Sequence, residues 1–302
     1  MKAVVLHEYG GPGKLKYEQV ADPIAGEGQV LVRMAASSVN PIDYKLRSGE
    51  MKAFMPLELP AILGNDIAGI VRSVGKGVEG FAAGDKVMAL GSHAYAELVA
   101  VAAADVAHVP DGLDLVKAAA LPLVTQTGAQ LISRGTKIQP GQTVLVAGAV
   151  GGVGRSAVWM AKKTGAAVIA GVRKSQLEEA EGIGADQVLA LDDEDAVRKL
   201  GFVDAVADTV GGKTAEMLLA KVKQGGVFAT VLGPPANAKM NPTVRVEAIQ
   251  VKADAALLRA LAEDVVAGRL RIPIDRMVPL ADAGDAQAAA AKGGIGKVLL
   301  LA

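Results

Sequence analysis

The stretch Thr143-Val144-Leu145-Val146-Ala147-Gly148-Ala149-Val150-Gly151-Gly152-Val153-Gly154 carries the most specific chemistry in the chain. Val144 to Ala147 reads as a buried strand that runs into a glycine turn. The turn runs straight into a helical segment, Val153 to Lys163, that stops at Gly165. Such a turn leaves backbone N–H groups converging at the positive end of a helix, where they hold a pyrophosphate. Gly151 lets the backbone approach the phosphates, and Gly154 lets helix and strand pack closely. The strict G-x-G-x-x-G pattern is not met, because Ala149 stands where its first glycine would be. The strand before, the helix after and the repeated strand–helix units around it favour a dinucleotide site over a purely structural turn.

The end of the following strand discriminates between dinucleotides. A site for NADH places Asp or Glu there to bind the ribose 2′-hydroxyl. Here the segment reads Ile169-Ala170-Gly171-Val172-Arg173-Lys174-Ser175, with two cations, a hydroxyl and no carboxylate. Cations are poorly placed at a helix start on dipole grounds, so a 2′-phosphate between Arg173 and Lys174 is the better reading than a solvated surface. The cofactor predicted is NADPH.

A turn of this kind must be positioned by a sheet. Val144 to Ala147, Ala167 to Ala170, Val203 to Ala207, Gly226 to Leu232 and Val244 to Val251 read as strands. Helices from Val153 to Lys163 and from about Ser175 to Glu181 fall between them, which implies βαβ units and a parallel sheet covered on both faces. The first third is different: short β-like runs at Val30 to Met34, Ile67 to Val74, Lys86 to Leu90 and Tyr95 to Val101, punctuated by Gly84-Asp85 and Asp111-Gly112. After a helix from about Ala253 to Ala267 the short strands return at Ile272 to Val278 and Lys297 to Leu301, with the alanine run Ala286 to Ala291 read as helix. Two strands do not form a stable unit alone, so they are expected to rejoin the N-terminal sheet. The fold class that follows is α/β, a Rossmann-type doubly wound parallel sheet (residues 117–255) inserted in a mainly β domain (residues 1–116 plus 256–302).

Composition removes several function classes. There is no cysteine, which excludes disulfides, thiolate nucleophiles and cysteine-ligated zinc. Thirty-two basic and 32 acidic residues give zero formal net charge, so no electrostatic footprint for nucleic acid or an anionic membrane exists. The start, MKAVVLHEYG, lacks the apolar core of a signal peptide, and no 18-residue apolar run occurs, so a cytoplasmic location is expected.

Several ordered segments together resemble the quinone oxidoreductase (zeta-crystallin-like) branch of the zinc-free medium-chain dehydrogenase/reductase superfamily. Ser37-Ser38-Val39-Asn40-Pro41-Ile42-Asp43 with Arg47-Ser48-Gly49 resembles its N-P-x-D…R-S-G segment, and Pro60 to Val74 matches its P-x-x-x-G-x-(D/E)-x-x-G-x-V stretch. Leu121-Pro122 with Thr127, the turn at 148–154 and the terminal Gly296-Lys297-Val298-Leu299 complete the set. The resemblance implies that the mainly β domain is GroES-like, that NADPH lies between the two domains, and that the protein is a homodimer. It implies a nicotinamide-side wall of Asn40 to Lys45, with Asn40, Asp43, Tyr44 and Lys45 as catalytic candidates. It implies Thr127 at the nicotinamide ribose or carboxamide, Val150, Gly151, Gly152 and Val153 around the pyrophosphate, Arg173 and Lys174 at the 2′-phosphate, and Leu232, Gly233 and Pro234 lining the nicotinamide pocket. A structural turn around Pro41 and a helix hydroxyl bonded to backbone at Thr127 are the plain alternatives.

Two departures from the family matter. Zinc-dependent relatives carry a cysteine ligand and a G-H-E segment, whereas this chain has Gly64-Asn65-Asp66 and no cysteine, so no metal is expected. Lys45 stands where quinone reductases often carry tyrosine, with Tyr44 adjacent. Without a metal Lewis acid an alkoxide has no stabiliser, whereas hydride addition to a quinone or conjugated enone gives a delocalised oxyanion. The activity this implies is NADPH:quinone reduction of a small molecule, with no nucleic-acid or membrane partner. Tyr44, Lys45, Asp43 or solvent is the proton source, and His93 reads as a surface or strand-end residue. An enoyl or alkenal double-bond reductase on the same scaffold is the nearest rival, and a non-catalytic NADPH-binding sensor the rival from another class.

Overall fold

Runs such as TVLVA and AVIAGV are apolar at nearly every position, and VDAVAD is apolar apart from its two aspartates, which suits strands buried on both faces. In the computed structural model, which describes residues 1–302, these runs form the middle of a parallel sheet. The chain divides into two compact units. One comprises Met1–Leu123, Ala253–Gly268 and Ile272–Ala302; the other comprises Val124–Lys252 and Arg269–Arg271.

In chain order the first segment contains β1 (Lys2–Leu6), β2 (Leu15–Gln19), β3 (Gln29–Ser38), α1 (Pro41–Ser48), β4 (Ala61–Ile62), β5 (Asp66–Val74), β6 (Lys86–Leu90), β7 (Leu98–Ala102), β8 (Val106–His108) and α2 (Leu115–Ala118). Helix α3 (Pro122–Gln130) leads into the second unit and continues as a π-helical turn, Leu131–Thr136. There follow β9 (Thr143–Ala147), α4 (Gly152–Thr164), β10 (Ala167–Val172), α5 (Leu177–Glu181), β11 (Gln187–Ala190), α6 (Glu194–Lys199), β12 (Val203–Asp208), α7 (Gly212–Leu219), β13 (Val222–Thr230) and β14 (Arg245–Ala248). The C-terminal segment supplies α8 (Ala255–Val266), β15 (Ile274–Pro279), α9 (Ala283–Ala291) and β16 (Lys297–Leu301).

The second unit is a six-stranded sheet in the order β11-β10-β9-β12-β13-β14, parallel at every pairing. Numbered from β9, this is the 3-2-1-4-5-6 order of a doubly wound dinucleotide fold, and the order reverses between β9 and β12. One face packs Val144, Val146, Val168 and Ala170 against Ala157, Val158 and Ala161 of α4. The other packs Leu145, Val206 and Phe228 against Leu218 and Leu219 of α7. Helix α4 ends where Gly165 takes the left-handed conformation (φ 85°), the stop signal legible in the sequence.

The first unit carries a seven-stranded sheet, β15-β16-β3-β5-β6-β8 with β7 also on β3, and a small sheet β2-β1-β4. As the sequence predicts, the C-terminal strand rejoins the N-terminal ones. Strand β16 runs antiparallel to the end of β3, with Leu299 opposite Ser38 and Leu301 opposite Ala36.

Several elements differ from the sequence reading. The strand expected over Val244 to Val251 shrinks to Arg245–Ala248, an edge strand with partners on one side only. The strand expected from Tyr95 begins at Leu98, because the Tyr95 backbone bonds to Leu63 and Val4 and only from Leu98 does the chain pair with β3. The helix expected from Ser175 opens with a 3-10 turn, Lys174–Gln176. Helix α1 and strands β2, β4 and β11 carry too few residues of clear period to be read in advance. The capping of α1 is nonetheless encoded. Asn40 is extended before the proline, Pro41 supplies the first helical φ, and Asp43 accepts the Asn40 N–H at 2.8 Å.

Candidate functional site

The carboxyl edge of the parallel sheet gathers the expected cofactor residues within the second unit. The turn glycine is Gly148, one position before Ala149. It has φ 77°, and a Cβ there would lie 2.4 Å from Thr209 Oγ1. Ala149 is buried, with its N–H donated to the Gly171 carbonyl beside the Gly148 N–H. The first glycine of the strict motif is therefore dispensable here. Gly154 has no such latitude: a Cβ would stand 2.1 Å from the Gly148 carbonyl oxygen. Gly151 caps α4 in an extended conformation (φ −72°, ψ 163°), is exposed, and a Cβ there would meet only the Gly148 oxygen at 3.3 Å. It stands exposed at the N-terminus of a 13-residue helix, with that one tight contact in the path of a side chain.

Neighbouring elements brace this turn. Arg155, itself buried, donates Nε–H to the Val150 carbonyl at 3.0 Å and pairs with Glu179 of α5. Helix α3 lies against the first turn of α4: a Cβ on Gly128 would be 2.2 Å from the Val153 carbonyl, and Ser156 Oγ donates to the Thr125 carbonyl at 2.6 Å. Thr127, buried, sits on that helix beside Gly128. Val150 is buried, while Gly152 and Val153 are half-buried.

Beyond β10, Arg173 and Lys174 are exposed and neither is in an ion pair; the Lys174 N–H goes to Asp192 and the Arg173 Nε–H to Gln176. Leu232, Gly233 and Pro234 follow β13. Asp208, wholly buried at the end of β12, ties that region together by accepting from the Val210 and Gly211 N–H groups, each at 3.0 Å, and from Thr230 Oγ1 at 2.8 Å. The cradle suits a dinucleotide: an open helix N-terminus with no Cβ for the pyrophosphate, and two cations without carboxylate partners at the second strand.

In the first unit the four catalytic candidates fall into two environments. Asn40 and Asp43 are wholly enclosed. Asp43 accepts from the Asn40 N–H, from Tyr95 OH at 2.8 Å and from Asn65 Nδ2 at 2.9 Å. Burial lifts its carboxyl to about 6, with Asp66 adding to the rise while the Asn40 and Tyr95 bonds and Lys297 oppose it. Tyr44 and Lys45 are half-buried. Burial, then Glu50 and Asp43, push the Tyr44 hydroxyl above the usual tyrosine range, and the Lys45 ammonium sits 3.2 Å from Glu50. His93 is exposed in a left-handed turn (φ 59°), its ring bonded to Ser92 Oγ.

Comparison with known proteins agrees with this architecture. Residues 26–111 match the alcohol dehydrogenase GroES-like domain, and residues 183–300 match the zinc-binding dehydrogenase family. A mycobacterial quinone oxidoreductase superposes with a TM-score of 0.84 at 30% identity, over 100% of both chains. The quinone oxidoreductase of Escherichia coli complexed with NADPH superposes with a TM-score of 0.87 at 26% identity, again over 100% of both. The chain belongs to the quinone oxidoreductase branch of the medium-chain dehydrogenase/reductase superfamily. Among curated proteins, the chloroplastic NADPH-dependent alkenal/one oxidoreductase of Arabidopsis thaliana is 32% identical over 77% of this chain and 63% of its own. The chain spans 60 to 63% of the length of the first curated relatives it matches.

Within this branch, sequence reasoning passes over Arg155, Asp208 and Tyr95. Asp208 had a signal, a carboxylate closing the apolar run Ala205-Val206-Ala207. Arg155 and Tyr95 had none, since each is defined by a partner distant in sequence.

The raised Asp43 carboxyl has a stability consequence. Between about pH 4 and pH 6 the unfolded chain releases this proton while the folded chain keeps it, so rising pH favours unfolding. A rise from 3.8 to about 6 corresponds to about 3 kcal/mol at 1.36 kcal/mol per unit, fully felt above pH 6. Asp43→Asn removes that term. The stability of the variant relative to wild type, from urea unfolding, should improve from pH 4 to pH 7 by up to that amount. A pH-independent difference would contradict the assignment.

Proposed function

We propose that this protein is an NADPH-dependent, zinc-independent oxidoreductase that reduces quinones or related conjugated carbonyls by hydride transfer. The observation that carries the reading is the pairing of the open 148–154 turn with Arg173 and Lys174, whose exposed charged groups make no ion pair, where an NADH site has an acid. The likeness to an NADPH-complexed quinone oxidoreductase supports it.

In this reading Val150, Gly151, Gly152 and Val153 at the N-terminus of α4 take the pyrophosphate. Arg173 and Lys174 take the 2′-phosphate, and Thr127, Leu232, Gly233 and Pro234 orient the nicotinamide end. When bound, NADPH supplies hydride from C4 of its nicotinamide. The chain supplies orientation and a proton. Asp43 is enclosed, with both oxygens occupied, and Lys45 is held by Glu50, which leaves the Tyr44 hydroxyl as the proton donor among the four. Asn40 and Asp43 act by fixing the helix that carries it. Asp66, the one ionisable residue of Gly64-Asn65-Asp66, is committed to Ser38, Asn40 and the Leu123 N–H, which supports chemistry without zinc. No helix is long and apolar enough to cross a membrane, and we take the working form to be a cytoplasmic homodimer. Alkenal double-bond reduction is the second reading, favoured by the Arabidopsis relative.

The test is NADPH oxidation with 1,4-benzoquinone and with a 2-alkenal, before and after exhaustive chelation. Turnover that survives chelation is expected, and the faster acceptor selects between the readings. Loss on chelation with recovery on adding zinc would overturn the metal-free mechanism, and no turnover with any acceptor would make the protein a binder. Each charge-assisted bond to the 2′-phosphate is worth about 1.5–3 kcal/mol. Arg173→Ala should therefore weaken NADPH binding roughly 10- to 150-fold and leave NADH binding unchanged. Equal losses for both would show that Arg173 only shapes the loop.

A further inference from the structure

We propose that Lys297 and Asp66, a charge pair enclosed behind α1, are positioning residues for the reductase reaction: they lock the Asn40 side chain and thereby the helix that presents Tyr44 and Lys45. This rests on the reading under Proposed function. Lys297 opens β16 and is 7% exposed; Asp66 opens β5 and is fully enclosed. Lys297 Nζ donates to Asn40 Oδ1 at 2.6 Å and to the Val39 carbonyl at 2.9 Å, and lies 3.6 Å from Asp66 Oδ2. Asp66 Oδ2 accepts from Asn40 Nδ2 at 2.7 Å and from Ser38 Oγ, while Oδ1 accepts the Leu123 N–H at 2.7 Å. The Asn40 amide is thus gripped at both ends, oxygen by a cation and nitrogen by a carboxylate, which fixes its orientation as no apolar contact would.

Asn40 is where this grip has leverage. Its backbone is extended, Pro41 fixes the next φ, and Asp43 takes its N–H, so the direction of α1 follows from the setting of this one residue. Stability alone does not call for the arrangement. A buried ion pair gives about the same net stability as well-packed apolar residues of similar volume, or less. What the pair adds is a single allowed geometry at the base of the helix. Tyr44 and Lys45 lie one turn further along it.

The experiment compares wild type with Lys297→Met, Asp66→Asn and the double variant, in the full chain. Hydrogen exchange by mass spectrometry reads the holding, and steady-state kinetics with 1,4-benzoquinone read the consequence. Peptides spanning residues 40–48 should exchange faster in all three variants, with those in residues 143–230 unchanged. The NADPH dissociation constant should stay within about 2-fold, kcat should fall by about 10-fold or more, and KM for the quinone should move little. The double variant removes both members of the pair, so neither is left facing the loss of the other, and it should regain much of the thermal stability lost by Lys297→Met but not its kcat. Recovery of both in the double variant, or wild-type exchange over residues 40–48, would reduce the pair to a structural role and overturn the proposal. A wild type that turns over no acceptor would sink the reductase reading instead, and the exchange data would still decide whether the pair holds α1.

Discussion

Backbone N–H groups hold a pyrophosphate only if the chain can come close to it, and each Cβ in the way keeps it off. The turn at 148–154 in the second unit meets that constraint. Gly154 brings α4 onto the Gly148 carbonyl, where a methyl group would stand 2.1 Å away, and Gly148 turns the chain at positive φ so that α4 can start directly above the strand. Gly128 lets α3 lie equally close on Val153. Only then does the N-terminus of α4, with Gly151 bare of a side chain, face outward at the point where the strand order reverses. The parallel sheet, its two apolar faces and the arginine brace from Arg155 serve this one exposed edge.

The first unit solves a different problem with different forces. Its sheet is held by ordinary apolar packing of Val30, Val32, Ile67, Val87 and Val99. Around α1 the interior turns polar: Asn40, Asp43, Asp66, Tyr95 and Lys297 are enclosed and joined by hydrogen bonds. Such groups are costly to bury, and the hydrogen bonds among these five offset the cost while leaving little freedom of arrangement. The result is a rigid base beneath two half-buried residues, Tyr44 and Lys45. The Tyr44 hydroxyl, pushed up by burial and then by Glu50 and Asp43, holds its proton more tightly than an ordinary tyrosine.

How much of this can be read from the sequence depends on the range of the forces involved. Strands β9 and β10 are legible because burial on both faces makes them almost continuously apolar, β12 is legible from its Ala205-Val206-Ala207 run despite Asp204, and α4 is legible because Gly165 ends it. The return of β16 to the N-terminal sheet follows from the instability of two strands alone. The turn motif is legible as a class, but not the glycine that makes the turn: β9 ends at Ala147, so positive φ falls on Gly148 and leaves Ala149 buried. Asn40 and Asp43 are legible as chemically notable, yet their enclosure is not, because it depends on Tyr95 and on Lys297, 257 residues beyond Asn40. Helix α1 escapes a periodicity argument at eight residues, although its Asn-Pro-x-Asp start is a capping signal that reads correctly once looked for.

The central claim is that the turn at 148–154 is the cofactor cradle, and Gly151→Val tests it most directly. Position 151 is extended and exposed, and a Cβ there meets one tight contact, the Gly148 carbonyl oxygen at 3.3 Å, so valine should leave the protein folded with a small drop in melting temperature while filling the space the phosphates need. The measurement is the NADPH dissociation constant of both proteins by nicotinamide fluorescence, with circular dichroism confirming the fold. The account predicts affinity weakened by roughly 10-fold or more in a folded variant. Undiminished affinity in that folded variant would show the turn to be structural and place the cofactor elsewhere.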